Sequence, residues 1–427
     1  PPRSTLFPYT TLFRSGAALG LGALALPISA RSQSKARIVI IGGGFGGASA
    51  AALLRRLMPS AQVTLVDANP TYTACPFSNL VIGTGRSFSA QQFAYDGLRT
   101  QGVNVVIAKA AEISAETQIV TLEDGSEIGY DRLILSPGID MRWAALEGYS
   151  ETAAETLPHA WKAGPQTTLL RDKLVALEDG DPVIMTVPPA PYRCPPGPYE
   201  RASMIAHYLK ANKPRSKLII LDAKDQFSKQ ALFEEAWAEH YPDHLEWRGA
   251  IDDGAVNRVD ASLGAVYTDF DEIQAPVINV IPPQKAGAIA DWAGVTDLTG
   301  WCPINPISFE STLQDKIHVI GDATIAAPMP KSAFSANLQA KVCAFAVARL
   351  LSDLEPMPTT LSNTCYSYTT PDEAISIAGV YANADGQLQS ISGSGGVSPL
   401  SAEKSIRNAE AAQAAHWFKT ITDEAFG

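Results

Sequence analysis

The sequence predicts an α/β protein built from two Rossmann-like, dinucleotide-binding-type domains, the first of them discontinuous, plus a small C-terminal α+β domain. Three observations predict it: a strand–glycine turn–helix–strand–acid unit over Arg37–Asp67, a second strand–helix–strand unit from Pro182 to Asp222, and two further strands that end in small-residue turns, at Ser136–Gly138 and Gly321–Asp322. In the first unit the apolar run Arg37–Ile41 reads as a buried strand and leads into G-x-G-x-x-G at Gly42, Gly44 and Gly47. Small and apolar residues from Ala48 to Leu57 continue as a helix, and a strand over Val63–Val66 ends in Asp67, 20 residues beyond Gly47. Glycines there allow a tight turn and let backbone amides approach a pyrophosphate, the helix N-terminus stabilises its charge, and the acid can accept from a ribose 2′-hydroxyl.

The strand Tyr130–Leu135 ends at Ser136-Pro137-Gly138, and Lys316–Ile320 ends at Gly321-Asp322. Two such segments beside an N-terminal site are similar to the pattern of flavoproteins with two dinucleotide-binding domains. That likeness implies FAD, with Gly321 and Asp322 at its ribityl and pyrophosphate part; Asp322 alone also reads as a helix N-cap. The expected organisation is a leader and export signal in 1–35, FAD-binding parts in 36–150 and 276–355, a second Rossmann-like domain in 151–275, and a C-terminal domain in 356–427. In the second domain the turn after Pro182–Val187 holds six prolines between Pro188 and Pro198, where NADH-using relatives have glycines. Proline has no N–H to offer a phosphate. The second nucleotide site therefore reads as lost, and a stiff loop presents Cys194 in its place.

The 427 residues are 46% hydrophobic and 18% charged, enough for sizeable cores and not a disordered composition. A net charge of −11 argues against nucleic-acid binding and against anionic membrane surfaces. The uncharged run Gly16–Ala30, preceded by Arg14 and ending in Ile28-Ser29-Ala30, reads as a secretory signal cut near Ala30, shorter than the roughly 20 residues of a spanning helix. An uncleaved anchor is the alternative; periplasmic location with no membrane span after cleavage is the expectation. Residues 1–15 lack an initiator Met and nearly repeat themselves at Arg3–Phe7 and Thr11–Ser15, so they read as a non-native leader on a truncated signal.

Five cysteines, none in a Cys-x-x-Cys pair, are too few for a disulfide scaffold and lack zinc-site spacing. Cys343 falls in an apolar helical run and reads as a core thiol. Cys302, between Trp301 and Pro303, is open between packing and function. Cys75 lies one loop beyond Asp67, on the side where the ring end of an FAD would lie. Cys194 and Cys365 stand 171 positions apart, with no local motif to pair them.

At Cys75–Asn79, Leu157–Gly164, Arg193–Ser203, Gly300–Pro303, His318–Asp322, Pro328–Ser332 and Asn363–Tyr366 the chain resembles the flavoprotein subunit of flavocytochrome c sulfide dehydrogenase, from about Arg37 to Gly427. The resemblance implies a covalent bond from Cys75 to the flavin 8α-methyl group. It implies a redox disulfide between Cys194 and Cys365 beside the flavin ring, and a c-type cytochrome as partner subunit. No Cys-x-x-Cys-His haem motif occurs in this chain, in keeping with a separate haem subunit. The family often carries a twin-arginine signal; no Arg-Arg pair precedes the apolar run here.

The expected chemistry is attack of hydrosulfide on that disulfide and passage of two electrons through FAD to the cytochrome, with sulfur leaving as polysulfide or elemental sulfur. Glu200 is a candidate acid or base, or a helix-start carboxylate favoured by the dipole. Lys331 is a candidate for balancing negative charge on the flavin, or a solvated lysine. One alternative is a sulfide:quinone oxidoreductase, which needs an apolar C-terminal surface to reach the membrane. Another is a non-catalytic electron-carrier or binding flavoprotein.

Overall fold

The computed structural model describes residues 35–427. The export-signal and leader readings fall on residues outside that range. Continuous apolar runs form the first sheet, because helices and loops cover both of its faces. Its strands are β1 (Arg37–Ile41), β2 (Gln62–Asp67), β3 (Asn104–Ile107) and β4 (Arg132–Leu135). Within β1, Ile38, Val39 and Ile40 are fully buried. A second parallel sheet follows from β5 (Val183–Val187), β6 (Leu218–Asp222), β7 (Leu245–Arg248) and β8 (Val277–Val280), in the order β7-β6-β5-β8. The chain then returns as β9 (Ile317–Val319) to the edge of the first sheet beside β4, which gives the order β9-β4-β1-β2-β3. That return is the discontinuity predicted from the Gly321-Asp322 strand, and it places the ends of β1, β4 and β9 together.

The turn after β1 leads into helix α1 (Phe45–Leu57). A Cβ on Gly47 would stand 1.9 Å from the Gly42 carbonyl oxygen, and Gly42 itself has φ +97°. Only glycine fits either position. Helix α2 (Gly197–Asn212) follows the proline loop, and α3 (Gln230–His240) follows β6. Helix α4 (Ala333–Leu350) packs on α1 along a seam of small residues, Ala48, Ala51 and Ala52 facing Ala340, Cys343 and Ala344. Asn337 Nδ2 donates across that seam to Ser49 Oγ at 2.8 Å. Cys343 is fully buried there, a core thiol as expected.

The tail forms a long hairpin, β10 (Thr360–Thr370) with β11 (Glu373–Ala384), extended by β12 (Gln387–Ser390) and covered by helix α5 (Lys404–Phe426). Phe418 packs on Phe77 and Phe93, and Phe426 on Tyr72 and Phe93. Each such burial stabilises by about 1.5–3 kcal/mol, which fastens the C-terminal helix to the first domain. Among the described residues no helix is long and apolar enough to cross a membrane.

The proline loop between β5 and α2 has several of its amides already engaged. Arg193 N–H donates to Gln284 Oε1, Cys194 N–H to the Lys331 carbonyl, and Gly197 N–H to the Cys194 carbonyl. The loop has few amides left for a pyrophosphate, so the protein should not bind NADH. Titration calorimetry with NADH checks this, and saturable binding would refute it.

Candidate active site

A cavity of about 530 Å³ opens at the carboxyl ends of β1, β4 and β9, where α/β sheets bind their ligands. Gly42, Gly44, Asp67, Cys75, Cys194, Glu200, Gly321, Asp322 and Cys365 all line it. Gly47 lies behind the wall, packed on the Gly42 carbonyl, and supports the turn. Asp67 holds the same turn: one carboxylate oxygen accepts from Gly43 N–H at 2.6 Å and the other from Asn69 N–H at 2.8 Å.

Asp322 is the counterpart on the far strand. Its Oδ1 is buried and without a hydrogen-bond partner, and its Oδ2 lies 3.8 Å from Arg193 Nη1. Burial raises its pKa, and Arg193 and Lys331 oppose that rise. An orphaned buried acceptor costs about 1–3 kcal/mol unless a donor reaches it. A hydroxyl of an FAD ribityl chain or ribose is such a donor, and the glycine turn at the start of α1 leaves room for a pyrophosphate. The residues present therefore fit FAD.

Lys331, expected near the flavin, does not reach the cavity wall. Its Nζ donates to the carbonyls of Asp322 at 2.9 Å and Thr324 at 2.6 Å and lies 3.8 Å over the Trp301 ring. Its own carbonyl accepts from Cys194 N–H. Lys331 thus ties the Cys194 loop to the Gly321-Asp322 turn, a positioning task rather than a charge facing the cofactor.

Cys75, Cys194 and Cys365 come from three distant segments and face one cavity. Among the described residues every cysteine is a free thiol, so the disulfide expected between Cys194 and Cys365 is not formed here. Cys194 sits in left-handed backbone, φ +57°. Burial pushes its thiol pKa up, Cys365 and Glu200 nearby push it further, and Arg193 and Lys229 oppose them. Burial also raises the Cys365 thiol, against Asn363 Nδ2, which donates to its sulfur at 3.1 Å, and against Lys229. Cys302, fully buried, and Cys343 are outside the wall.

Glu200 stands in the first turn of α2 and also lines the cavity. Oε1 accepts from Tyr368 N–H at 2.9 Å and Oε2 from Asn79 Nδ2 at 2.7 Å. Burial raises its pKa, and those two bonds oppose the rise.

Three family profiles match the chain. "Pyridine nucleotide-disulphide oxidoreductase" covers residues 36–175, "Sulfide dehydrogenase [flavocytochrome c] flavoprotein chain, central" covers 167–282, and "Flavocytochrome c sulphide dehydrogenase, flavin-binding" covers 357–426. A sulfide dehydrogenase [flavocytochrome c] flavoprotein chain from Chlorobaculum thiosulfatiphilum is 58% identical over 45 residues, 10% of this chain and 94% of that sequence. The chain belongs to the flavocytochrome c sulfide dehydrogenase flavoprotein family. A mitochondrial sulfide:quinone oxidoreductase from Dictyostelium discoideum is 23% identical over 317 residues, 72% of this chain and 69% of its own. The crystal structure of the sulfide:quinone oxidoreductase from Aquifex aeolicus shares the fold, with a TM-score of 0.72, 18% identity and coverage of 91% and 92% of the two chains.

Several residues that build this wall carry no signal in the sequence. Arg201 is 2% exposed and donates to the carbonyls of His159 and Ala160 and to the side-chain oxygens of Asn79 and Asn279. Asn79, inside the Cys75–Asn79 stretch, joins Arg201 to Glu200. Lys229 donates to the Cys365 carbonyl at 3.1 Å, Ser367 Oγ at 2.8 Å and the Ile375 carbonyl at 3.4 Å. A lone lysine in a loop carries no sequence signal for this.

Burial pulls the Lys229 ammonium down to about 8, from 10.5, while Cys365, Glu200 and Cys194 hold it up. The unfolded chain then binds more protons between those two values, so this group makes stability rise with pH across that window. Urea unfolding of Lys229→Met should show a smaller rise from pH 8 to 10 than the unmutated protein. An equal rise in both would show that Lys229 does not titrate there.

Proposed function

We propose that this chain is an FAD-dependent sulfide dehydrogenase of the periplasm. It oxidises hydrosulfide to zero-valent sulfur or polysulfide through a Cys194–Cys365 redox disulfide and passes the electrons to a c-type cytochrome. The observation that carries the reading is the convergence of Cys194, Cys365 and Glu200 on the cavity that fits FAD. FAD, when bound, accepts two electrons from the cysteine pair and can release them one at a time.

The chain's own residues do the rest. Hydrosulfide attacks one sulfur of the disulfide: a new sulfur–sulfur bond forms to the substrate, the Cys194–Cys365 bond breaks, and the other cysteine leaves as a thiolate. Arg193 and Lys229 lie near enough to Cys194 to favour its anion. Glu200 takes or returns the proton. The net change is HS⁻ to S⁰, H⁺ and two electrons.

Cys75 faces the same cavity and is the candidate for a covalent flavin bond. Denaturing gels should show flavin fluorescence on the protein, and Cys75→Ala should release it while the fold persists, since the Gly42–Gly47 turn and Asp67 keep their own contacts. Full release of flavin from the unmutated protein by acid would overturn the bond.

A quinone acceptor is the second reading, favoured by the likeness to sulfide:quinone oxidoreductases. Against it, α5 turns Ala411, Ala414, Phe418, Ile421, Ala425 and Phe426 into the core rather than toward a membrane. With sulfide as donor, reduction of added cytochrome c should outpace that of a soluble quinone analogue. The reverse order would transfer the reading to quinone, and no reduction of either would leave a non-catalytic flavoprotein.

A further inference from the structure

Cys365 lines two cavities. One is the cavity that fits FAD; the other, of about 340 Å³, lies behind the hairpin of the C-terminal domain. Strand register explains the second. Cys365 pairs with Ile377, Asn363 with Gly379 and Leu361 with Tyr381, so these side chains share one face of the β10–β11 hairpin. Ile377, Gly379 and Tyr381 are walls of the second cavity, and Asn363, whose amide donates to the Cys365 sulfur, is another. Gly379 leaves the space that the Tyr381 ring enters, since a Cβ there would stand 2.4 Å from the Tyr381 hydroxyl oxygen. Prolines of the Cys194 loop, Pro195 and Pro196, close the opposite wall with Pro328 and Pro330.

The two cavities differ in charge. Asp67, Lys162, Arg193, Glu200, Arg201 and Asp322 line the first. No charged side chain lines the second; its polar groups are Ser228, Asn363, Ser390, the Tyr381 hydroxyl and the cysteine. An uncharged wall makes desolvation of an anion costly and admits a neutral molecule at little cost. Ser390 and Ile391 stand at its exposed rim, Ile391 41% exposed. With FAD in the first cavity, the second still borders Cys365.

We propose that the second cavity is the substrate route, and that sulfide travels it as neutral dihydrogen sulfide to meet Cys365 from the side away from the flavin. The inference rests on the sulfide dehydrogenase reading above and adds which sulfur is attacked and from where. At the end of the route dihydrogen sulfide gives one proton to Glu200, and as hydrosulfide its sulfur bonds to the Cys365 sulfur while the Cys194–Cys365 bond breaks. Cys365 becomes a persulfide, its sulfur bonded to SH, and Cys194 leaves as the thiolate. The two electrons lost by sulfide stay in that thiolate until FAD accepts them.

Two measurements on the FAD-loaded protein test the route. Ser390→Trp and Ile391→Trp place a large ring at the exposed rim, away from the core. Each should slow flavin bleaching by sulfide by about tenfold or more, with bleaching by dithionite unchanged. Unchanged sulfide bleaching in both would overturn the route. In a reduced Cys194→Ser background, uncharged methyl methanethiosulfonate should label the Cys365 peptide faster than its anionic sulfonatoethyl counterpart, and Ser390→Trp should slow the uncharged reagent. Equal labelling by both reagents, or no effect of the tryptophan, would overturn the neutral cavity. An unmutated protein that sulfide never bleaches would remove the sulfide dehydrogenase reading, while labelling still decides whether the cavity leads to Cys365.

Discussion

Folded Cys194→Ser and Cys365→Ser proteins should keep a bound-FAD spectrum and lose sulfide-dependent flavin bleaching by about 10³-fold or more. The expectation follows from the role of the pair: without a disulfide, hydrosulfide has no sulfur electrophile, and the oxygen of serine cannot replace one. The cavity-lining groups Asp67 and Asp322 do not depend on either sulfur for their contacts. Anaerobic stopped-flow absorbance reads the bleaching, and thiol titration before and after reduction reads the disulfide. If the bond were only structural, the same variants would lose about 2–5 kcal/mol of stability and their folded fraction would still turn over sulfide. Turnover retained in both single variants would end the redox-disulfide mechanism.

Arg201→Leu should destabilise the protein by about 3–5 kcal/mol. Four buried acceptors lose a donor, the carbonyls of His159 and Ala160, Asn79 Oδ1 and Asn279 Oδ1, and the His159 carbonyl keeps a second one in Asn279 Nδ2. The guanidinium also stands 4.9 Å over the Trp161 ring, so a cation–π contact goes with it. Burial lowers its pKa to about 9, the mark of a charge maintained there by its neighbours rather than by water. Because Asn79 also holds Glu200, the loss should loosen the carboxylate beside Cys194 as well as the core. Urea unfolding measures it. Arg201→Lys should recover only part, since an ammonium cannot span the four acceptors as the planar fork does. A loss below about 1 kcal/mol for Arg201→Leu would show that the acceptors find other partners.

Much of the flavin side was legible in local sequence because local geometry decides it. A turn that must pass between β1 and α1 and leave room for phosphate admits glycine at Gly42 and Gly47 and little else, and that restriction is written in consecutive residues. Buried parallel strands likewise betray themselves as apolar runs, as in Ile38–Ile41 and Val183–Val187. The proline loop was readable for the same reason, since a missing N–H is a property of the residue itself.

Other parts of the site are encoded only by contacts across long separations. Lys331 looked free to face the flavin, yet its ammonium turns to the carbonyls of Asp322 and Thr324, because a buried cation takes the nearest acceptors. Lys229, 136 residues from Cys365, and Arg201, 122 residues from Asn79, carry no periodicity or motif that announces them. What the sequence by itself determined was the glycine turn at Gly42–Gly47 and the strand–helix–strand succession of each unit, and family likeness raised the expectations for Cys75, Cys194 and Cys365. Only the tertiary structure decided that these three cysteines share one cavity, that Asp322 keeps an unpaired oxygen toward it, and that Cys365 also borders an uncharged cavity behind the hairpin. The reason is physical: backbone conformation and apolar burial are set by neighbours along the chain, whereas charge environment and access are set by which distant segments the packed core brings to the same wall.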